Sequence, residues 1–290
     1  MTRLVINADD FGLTTGINRA VAELHAAGVV TSASLMAHAP ATEDAIEIAA
    51  ANPSLGTGCH VVLVDGQPLL SPTHDIPHLA DPIDGRFRSS IFSFLVSLSE
   101  YSRSWPFRSI EEKEIEAETA AQIALLQSRG LHLTHIDTHK HVHMFPSVLR
   151  PVLRAAKAAG ICAVRNPFEA AWSVRATPNA PPLRRMEVSL LRRLQQSFLS
   201  IVAEEGFTTT NGALGVAATG TLDSATLVSL LRNLPAGTWE LVTHPGYHSD
   251  DLARVPTRLR ASRNIEREAL LTLQPPAGTE LISFAALTGQ

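Results

Sequence analysis

Short apolar runs alternate with amphipathic helical stretches along most of this chain, and that alternation admits few folds. Arg3–Ala8 (RLVINA) has the make-up of a buried strand, and Thr14–Ala27 follows with Ile17, Val21 and Leu24 at helical spacing. Gly28 stands where a helix C-terminus takes a glycine. Val30–Met36 and Gly58–Val64 predict two more strands, separated by a helix over Ala41–Ala51 that Asn52-Pro53 ends. Ile110–Arg129 predicts a long helix whose acidic first turn suits the helix dipole. A strand over His132–His139, a helix over Pro146–Ala159 and a short strand over Cys162–Arg165 follow. Then come a basic helix over Met186–Ala203, a helix over Asp223–Asn233, a strand over Thr238–His244 and a last helix over about Ser262–Leu273. Strands that alternate with helices imply a mostly parallel sheet covered by helices. No glycine-rich phosphate loop follows the first strand. The expected fold is therefore α/β, an irregular, TIM-barrel-like (β/α) barrel with mostly parallel strands; an open doubly wound sheet is the alternative.

Two stretches break the alternation. Residues 65–108, with prolines at 68, 72, 77, 82 and 106, exceed the usual connection of roughly 4–6 residues and read as a lid or binding loop. Residues 167–185 form a second insertion, rich in Pro and Ala. Neither is long enough for a domain of its own, so residues 1–290 are expected to form one domain with two insertions. The apolar fraction of 45% supports a large core, and the net charge of −4 lacks the basic surplus of a nucleic-acid binder. Cys59 and Cys162 are too few for a disulfide scaffold and read as small buried apolar residues. The N-terminus has no charged-then-apolar leader, and no run approaches the roughly 18–20 apolar residues of a membrane span. The expectation is a soluble, cytoplasmic chain with no nucleic-acid partner and no transmembrane segment. A symmetric homodimer is the base-rate assembly.

Of twelve histidines, five (His132, His135, His139, His141, His143) fall within twelve positions. In parallel α/β folds functional groups gather at the C-terminal ends of strands. Four of the expected strand ends carry ionisable groups here. The first ends in Asp9-Asp10, the third carries His60, the fourth carries Asp137, His139, His141 and His143, and the strand before Pro245 ends in His244. Adjacent aspartates on an extended chain point apart, so one can ligate a metal while the other reaches a water; a helix cap with a solvated neighbour is the alternative. The fourth strand is expected to leave the sheet near Lys140, with Asp137 and His139 inward and His141 and His143 on the loop above. A hydrogen-bonded polar cluster without metal would also use these residue types. Arg165 ends another strand and can hold a carboxylate or a substrate oxygen. One Asp and two His on a divalent ion leave positions open for water and substrate. With a free carboxylate as base and a histidine as acid, such a set suits metal-assisted hydrolysis of an amide or ester.

Five segments, in order, carry a family likeness: Asn7-Ala8-Asp9-Asp10-Phe11-Gly12, Gly58-Cys59-His60, His135-Ile136-Asp137-Thr138-His139-Lys140-His141-Val142-His143, Val164-Arg165 with Pro167 and Glu169, and His244-Pro245-Gly246-Tyr247. Through them the chain resembles the YdjC-like carbohydrate deacetylases, which include chitooligosaccharide and hopanoid-associated deacetylases. The resemblance implies an irregular (β/α) barrel, one divalent metal ion (magnesium or zinc as first choices) and removal of an acetyl group from an N-acetylated amino sugar. It implies Asp10, His60 and His139 as metal ligands, with His141 or His143 as alternative ligands. It further implies Asp9 as general base, His244 as general acid, and Arg165 at the substrate. Asp65-Gly66-Gln67-Pro68-Leu69-Leu70 and Asp84-Gly85-Arg86-Phe87-Arg88 resemble the hopanoid-associated branch, which implies an N-acetylglucosaminyl lipid as substrate. Ile91–Leu98 would then meet a lipid tail or form a core helix. A metal-dependent phosphoesterase and a non-catalytic sugar- or metal-binding barrel are the rival readings.

Overall fold

The first strand, β1 (Thr2–Phe11), is buried from Leu4 onward, as the apolar run Leu4–Ile6 requires of a strand covered on both faces, and it carries Asn7, Asp9 and Asp10 inside with it. The computed structural model describes residues 1–95 and 108–288. Among them, seven strands form one sheet: β1, β2 (Ser32–Leu35), β3 (Gly56–Val61), β4 (Ile136–Thr138), β5 (Gly212–Leu214), β6 (Gly237–Thr243) and β7 (Thr279–Leu281). The order is β4-β3-β2-β1-β6-β5, and all pairs are parallel. β1 pairs with β6 over Thr2–Ala8 on one edge. On its other edge β7 takes Thr2–Leu4 and β2 takes the register from Asn7 onward. The sheet curls into an irregular TIM-barrel-like architecture flanked by helices. Between β4 and β5 only isolated bridges continue it, Ile136 to Val164 and Glu169 to Ala213.

Local chemistry explains the helices. In Thr15–Ala26 the Thr14 side chain caps Ile17 N, and Ile17, Val21 and Leu24 are buried. A cap of this kind stabilises by about 1 kcal/mol, and each such apolar side chain by about 1.5–3 kcal/mol. The basic helix expected over Met186–Ala203 is instead two helices, Pro182–Leu191 and Gln195–Glu205, joined by the 3₁₀ turn Arg192–Leu194. The strand expected over His132–His139 is shortened to Ile136–Thr138, because Lys140 and His141 take left-handed backbone. Cys162–Arg165 contributes bridges rather than a ladder strand. Cys59 is buried, but Cys162 is exposed, which corrects its reading as a core residue.

The first insertion folds back on itself. Asp65 N donates to Arg88 O and Phe87 N to Gly66 O. The helix Arg108–Ser128 then anchors it through three side chains spaced four residues apart. Glu114 accepts from His78 N and Leu79 N, Glu118 from Leu69 N and Leu70 N, and Gln122 exchanges bonds with both backbone groups of Val62. Residues 91–95 are helical with Phe94 in the core, and residues 96–98 of the segment expected to meet a lipid lie outside the described residues. The second insertion contains the helix Ala171–Ala176. No helix among the described residues is long and apolar enough to cross a membrane.

Candidate metal centre

A regular strand would send Asp9 and Asp10 to opposite faces. β1 does not stay regular. Its pairing with β2 shifts between Ala8 and Phe11, and Asp10 sits at φ 63°, a left-handed conformation that aspartate tolerates better than most side chains. The bulge brings both carboxylates into one cluster, as bulges beside functional sites often do. Gly12 (φ 96°) closes the turn, its N–H donating to Asn18 Oδ1 at 2.7 Å.

β3 presents His60. Two residues earlier, Gly58 makes room for the His135 ring: a Cβ there would lie 2.4 Å from it. His135 stacks on Phe284 at 4.0 Å between ring centroids and contacts Ser34 Oγ and Thr134 Oγ1. Burial lowers its pKa to about 3, so this ring is a neutral packing element. β4 then breaks into the 3₁₀ turn His139–Met144, and the alternating histidines part company there. His139 turns toward Asp10 and His60. His143 is buried with Nδ1 2.7 Å from Thr138 Oγ1 and Nε2 3.2 Å from Arg165 O. His141 packs edge-on to His143, its Nδ1 buried without a hydrogen-bond partner. Neither belongs to a group of donor atoms that could share one ion.

Two such groups exist among the described residues: Asp9, His60 and Asp137, whose two carboxylates Arg165 engages, and Asp10, His60 and His139. Asp10 Oδ1 lies 3.2 Å from His139 Nδ1 and 3.7 Å from His60 Nε2, and the two nitrogens are 3.3 Å apart. Donor atoms at about 2.1 Å from one ion stand about 3.0 Å apart at right angles and about 3.4 Å apart at the tetrahedral angle. The triangle therefore has the size of one face of a coordination shell. His60 is also oriented from behind, since its Nδ1 donates to Asp137 Oδ1 at 2.8 Å and leaves Nε2 facing the centre. The residues fit a divalent cation.

Around the triangle lie two buried arginines. Arg165, with no exposed surface, donates to Asp9 Oδ2 and Oδ1 at 2.8 and 2.6 Å and to Glu240 Oε1 at 2.7 Å, and it also pairs with Asp137. All its nitrogens serve carboxylates, and it holds Asp9 and Asp137 in place. Arg263 donates to Asp10 Oδ2 and leaves Oδ1 to the histidines. His244 follows β6, and its Nε2 stands 3.8 Å from Asp9 Oδ2 while its backbone N–H donates to Glu266 Oε1. Sequence reasoning missed Arg263, Glu240 and Glu266. Glu240 had a signal, a lone charge within an apolar strand (TWELVT). Arg263 had none, for it stands among the ordinary charges of a surface-type helix.

Burial and charge compete throughout. Burial would raise the Asp10 carboxyl, but Arg263 and His139 hold it well below the usual range. Burial would lower His60, but the Asp137 carboxylate prevails and raises it to about 9. A proton on this ring is thus what a cation would displace. Burial lowers His244 to about 4 and raises Glu240 and Glu266 to about 8.

Comparison with known proteins follows this geometry. Residues 3–276 match the family model described as YdjC-like protein. A carbohydrate deacetylase of Brevibacillus brevis is 40% identical over 155 residues, 53% of this chain and 56% of that protein. A carbohydrate deacetylase of Mus musculus is 32% identical over 255 residues, 85% of this chain and 79% of that protein. The match thus spans little more than half the length of the first relative and most of the second. A solved structure from Enterococcus faecalis V583, named provisionally as a cellobiose-phosphate cleavage protein, covers 99% of this chain and 98% of its own at TM-score 0.76 and 23% identity. That likeness shows the fold. The chain belongs to the YdjC-like family.

Proposed function

We propose that this YdjC-like chain is a metal-dependent carbohydrate N-deacetylase that releases acetate from an N-acetylated amino sugar. The sugar is carried on an oligosaccharide or on a glycolipid such as an N-acetylglucosaminyl hopanoid. The observation that carries the reading is the triangle of Asp10, His60 and His139, with Asp9 and His244 beside it. The carbohydrate deacetylase names of its relatives support the same chemistry.

Asp10, His60 and His139 would hold the ion, magnesium or zinc. When bound, it would polarise the acetamide carbonyl and lower the pKa of a water. Asp9 is the base that takes the proton of the attacking water. Arg165 fixes both Asp9 oxygens, so the base keeps one orientation through the reaction. His244 gives a proton to the departing amine. Its low pKa leaves the resting ring neutral, so the proton it gives is the one Asp9 takes from water, passed across the 3.8 Å between Asp9 Oδ2 and His244 Nε2; its backbone bond to Glu266 anchors it. Asp137 sets the direction of His60.

The test is acetate release from N-acetylglucosamine oligomers and from an N-acetylglucosaminyl glycolipid, with magnesium or zinc added and then removed by chelator. Metal-dependent acetate release from either substrate is the expected result. Phosphate release from phosphoesters without acetate release, or binding without turnover, would overturn it.

A further inference from the structure

The three residues of the candidate centre are not supported alike. Arg263 grips Asp10, and Asp137 orients His60. His139 turns its Nδ1 toward Asp10 and His60, and among the described residues no hydrogen bond reaches its ring from behind. It is also the most open of the three, its side chain 18% exposed against 1% for His60 and 4% for Asp10. Its placement therefore depends on its backbone. That backbone runs straight into two left-handed residues, Lys140 (φ 55°) and His141 (φ 56°). Neither is a glycine, and such residues keep this conformation only where their surroundings hold them in it.

Two contacts hold this turn. Around its ends, Thr138 Oγ1 accepts from His143 N at 3.0 Å and meets His143 Nδ1 at 2.7 Å. From its middle, Lys140 reaches across to the first insertion, where its Nζ donates to Asp65 Oδ2 at 2.6 Å and to Ser89 O at 3.0 Å. Both side chains of this ion pair are half-buried, so water and salt screen it less than they screen an exposed pair. Asp65 is itself left-handed (φ 56°), and its N–H donates to Arg88 O. Of the four non-glycine residues at positive φ among the described residues, one is Asp10 and the other three lie at the two ends of this bridge.

We infer that the Lys140–Asp65 pair is the support that His139 otherwise lacks: it positions the third ligand, and it ties cation affinity to the seating of residues 65–88. The inference rests on the reading of Asp10, His60 and His139 as a cation site. Lys140 acts through His139, so it is a positioning residue and takes no part in bond-making. Coupling between two events is reciprocal. A cation on His139 should therefore tighten the backbone of the insertion in turn.

The experiment is a cobalt(II) titration of the full chain, freed of metal by chelator and followed by visible absorption. Lys140→Asn and Asp65→Gly each remove the bridge and leave a residue that tolerates left-handed backbone. Each should weaken cobalt binding about 10–100-fold, the range for losing a group that orients a ligand. The double variant should bind no more weakly than either single variant, since all three lose the same bridge. Lys140→Arg can still reach Asp65 and should bind close to the parent. Arg129→Met breaks the exposed Arg129–Glu43 pair and should change nothing. Hydrogen exchange at the Asp65 and Phe87 backbone N–H groups should slow when cobalt binds the parent chain, and should not respond in Lys140→Asn. If Lys140→Asn does not fold, Lys140→Arg against Asp65→Gly carries the same comparison. Unchanged cobalt affinity in the folded single variants overturns the inference, as does a double variant that loses the product of the two single effects. A parent chain that binds no cobalt overturns the cation-site reading itself, whereas a parent that binds cobalt no better than its variants overturns this inference alone.

Discussion

Asp9 and Asp10 are neighbours in the chain, and each meets a buried arginine, yet the two pairs are built differently. Arg165 takes both oxygens of Asp9 and shares itself with Asp137 and Glu240. Arg263 takes one oxygen of Asp10 and leaves the other 3.2 Å from His139. The first carboxylate is clamped and oriented; the second is half free, and its free half faces imidazole nitrogens. One residue of bulge separates the side chain proposed as base from the one proposed as ligand. In a low-dielectric interior, the number of oxygens left unclaimed decides what a carboxylate can still do.

The largest test of that contrast is direct. Asp10→Ala should lose both bound metal and activity, while Asp9→Asn should keep metal after dialysis and lose about 10²–10⁴-fold in kcat. Metal content and acetate release measure the two, and normal turnover by Asp9→Asn would remove it from the role of base. Next come the arginines. Arg165→Met strands several buried carboxylates and should cost about 3–5 kcal/mol in urea unfolding; Arg263→Met strands one oxygen and should cost about 1.5–3 kcal/mol. Equal costs would erase the distinction. Gly58→Ala pushes a methyl into the His135 ring behind His60 and should cost about 1–3 kcal/mol. Adding His135→Ala should recover part of that loss; no recovery would mean the collision lies elsewhere.

A further effect is in pH. His135 and His143 have folded pKa values lowered to about 3 and 4 from 6.5, burial being the first cause. Below pH 6.5 the unfolded chain binds protons that the folded chain refuses. The stability contributed by these two rings is therefore full above 6.5 and falls as pH drops toward 4, by at most about 1.4 kcal/mol per pH unit per ring. Thermal melts of His135→Phe should show a shallower decline than the parent chain. An unchanged slope would assign the acid sensitivity to other groups.

Much of this was legible in the sequence, for identifiable reasons. The alternation of strands and helices survives because each element buries one face, and residue spacing reports that burial directly. Asp10, His60 and His139 could be gathered because parallel strands end on the same side. What escaped was set by tertiary contact. β5 and β7 are three residues each, too short for any period to show, and exist because β6 and β1 offer them an edge. The divergence of His139, His141 and His143 depends on two left-handed residues, Lys140 and His141, neither a usual carrier of that conformation. The three carboxylate partners of Arg165 come from β1, β4 and β6, and only the folded sheet assembles them.

Lys140 also joins the first insertion to the centre, its Nζ donating to Asp65 Oδ2 at 2.6 Å. With Glu114, Glu118 and Gln122 fastening the other side of that insertion, the rim at residues 65–88 is moored at both banks. On the deacetylase reading, a rim moored in this way offers an incoming sugar a fixed outline to match, so contour becomes a means of selection at the threshold.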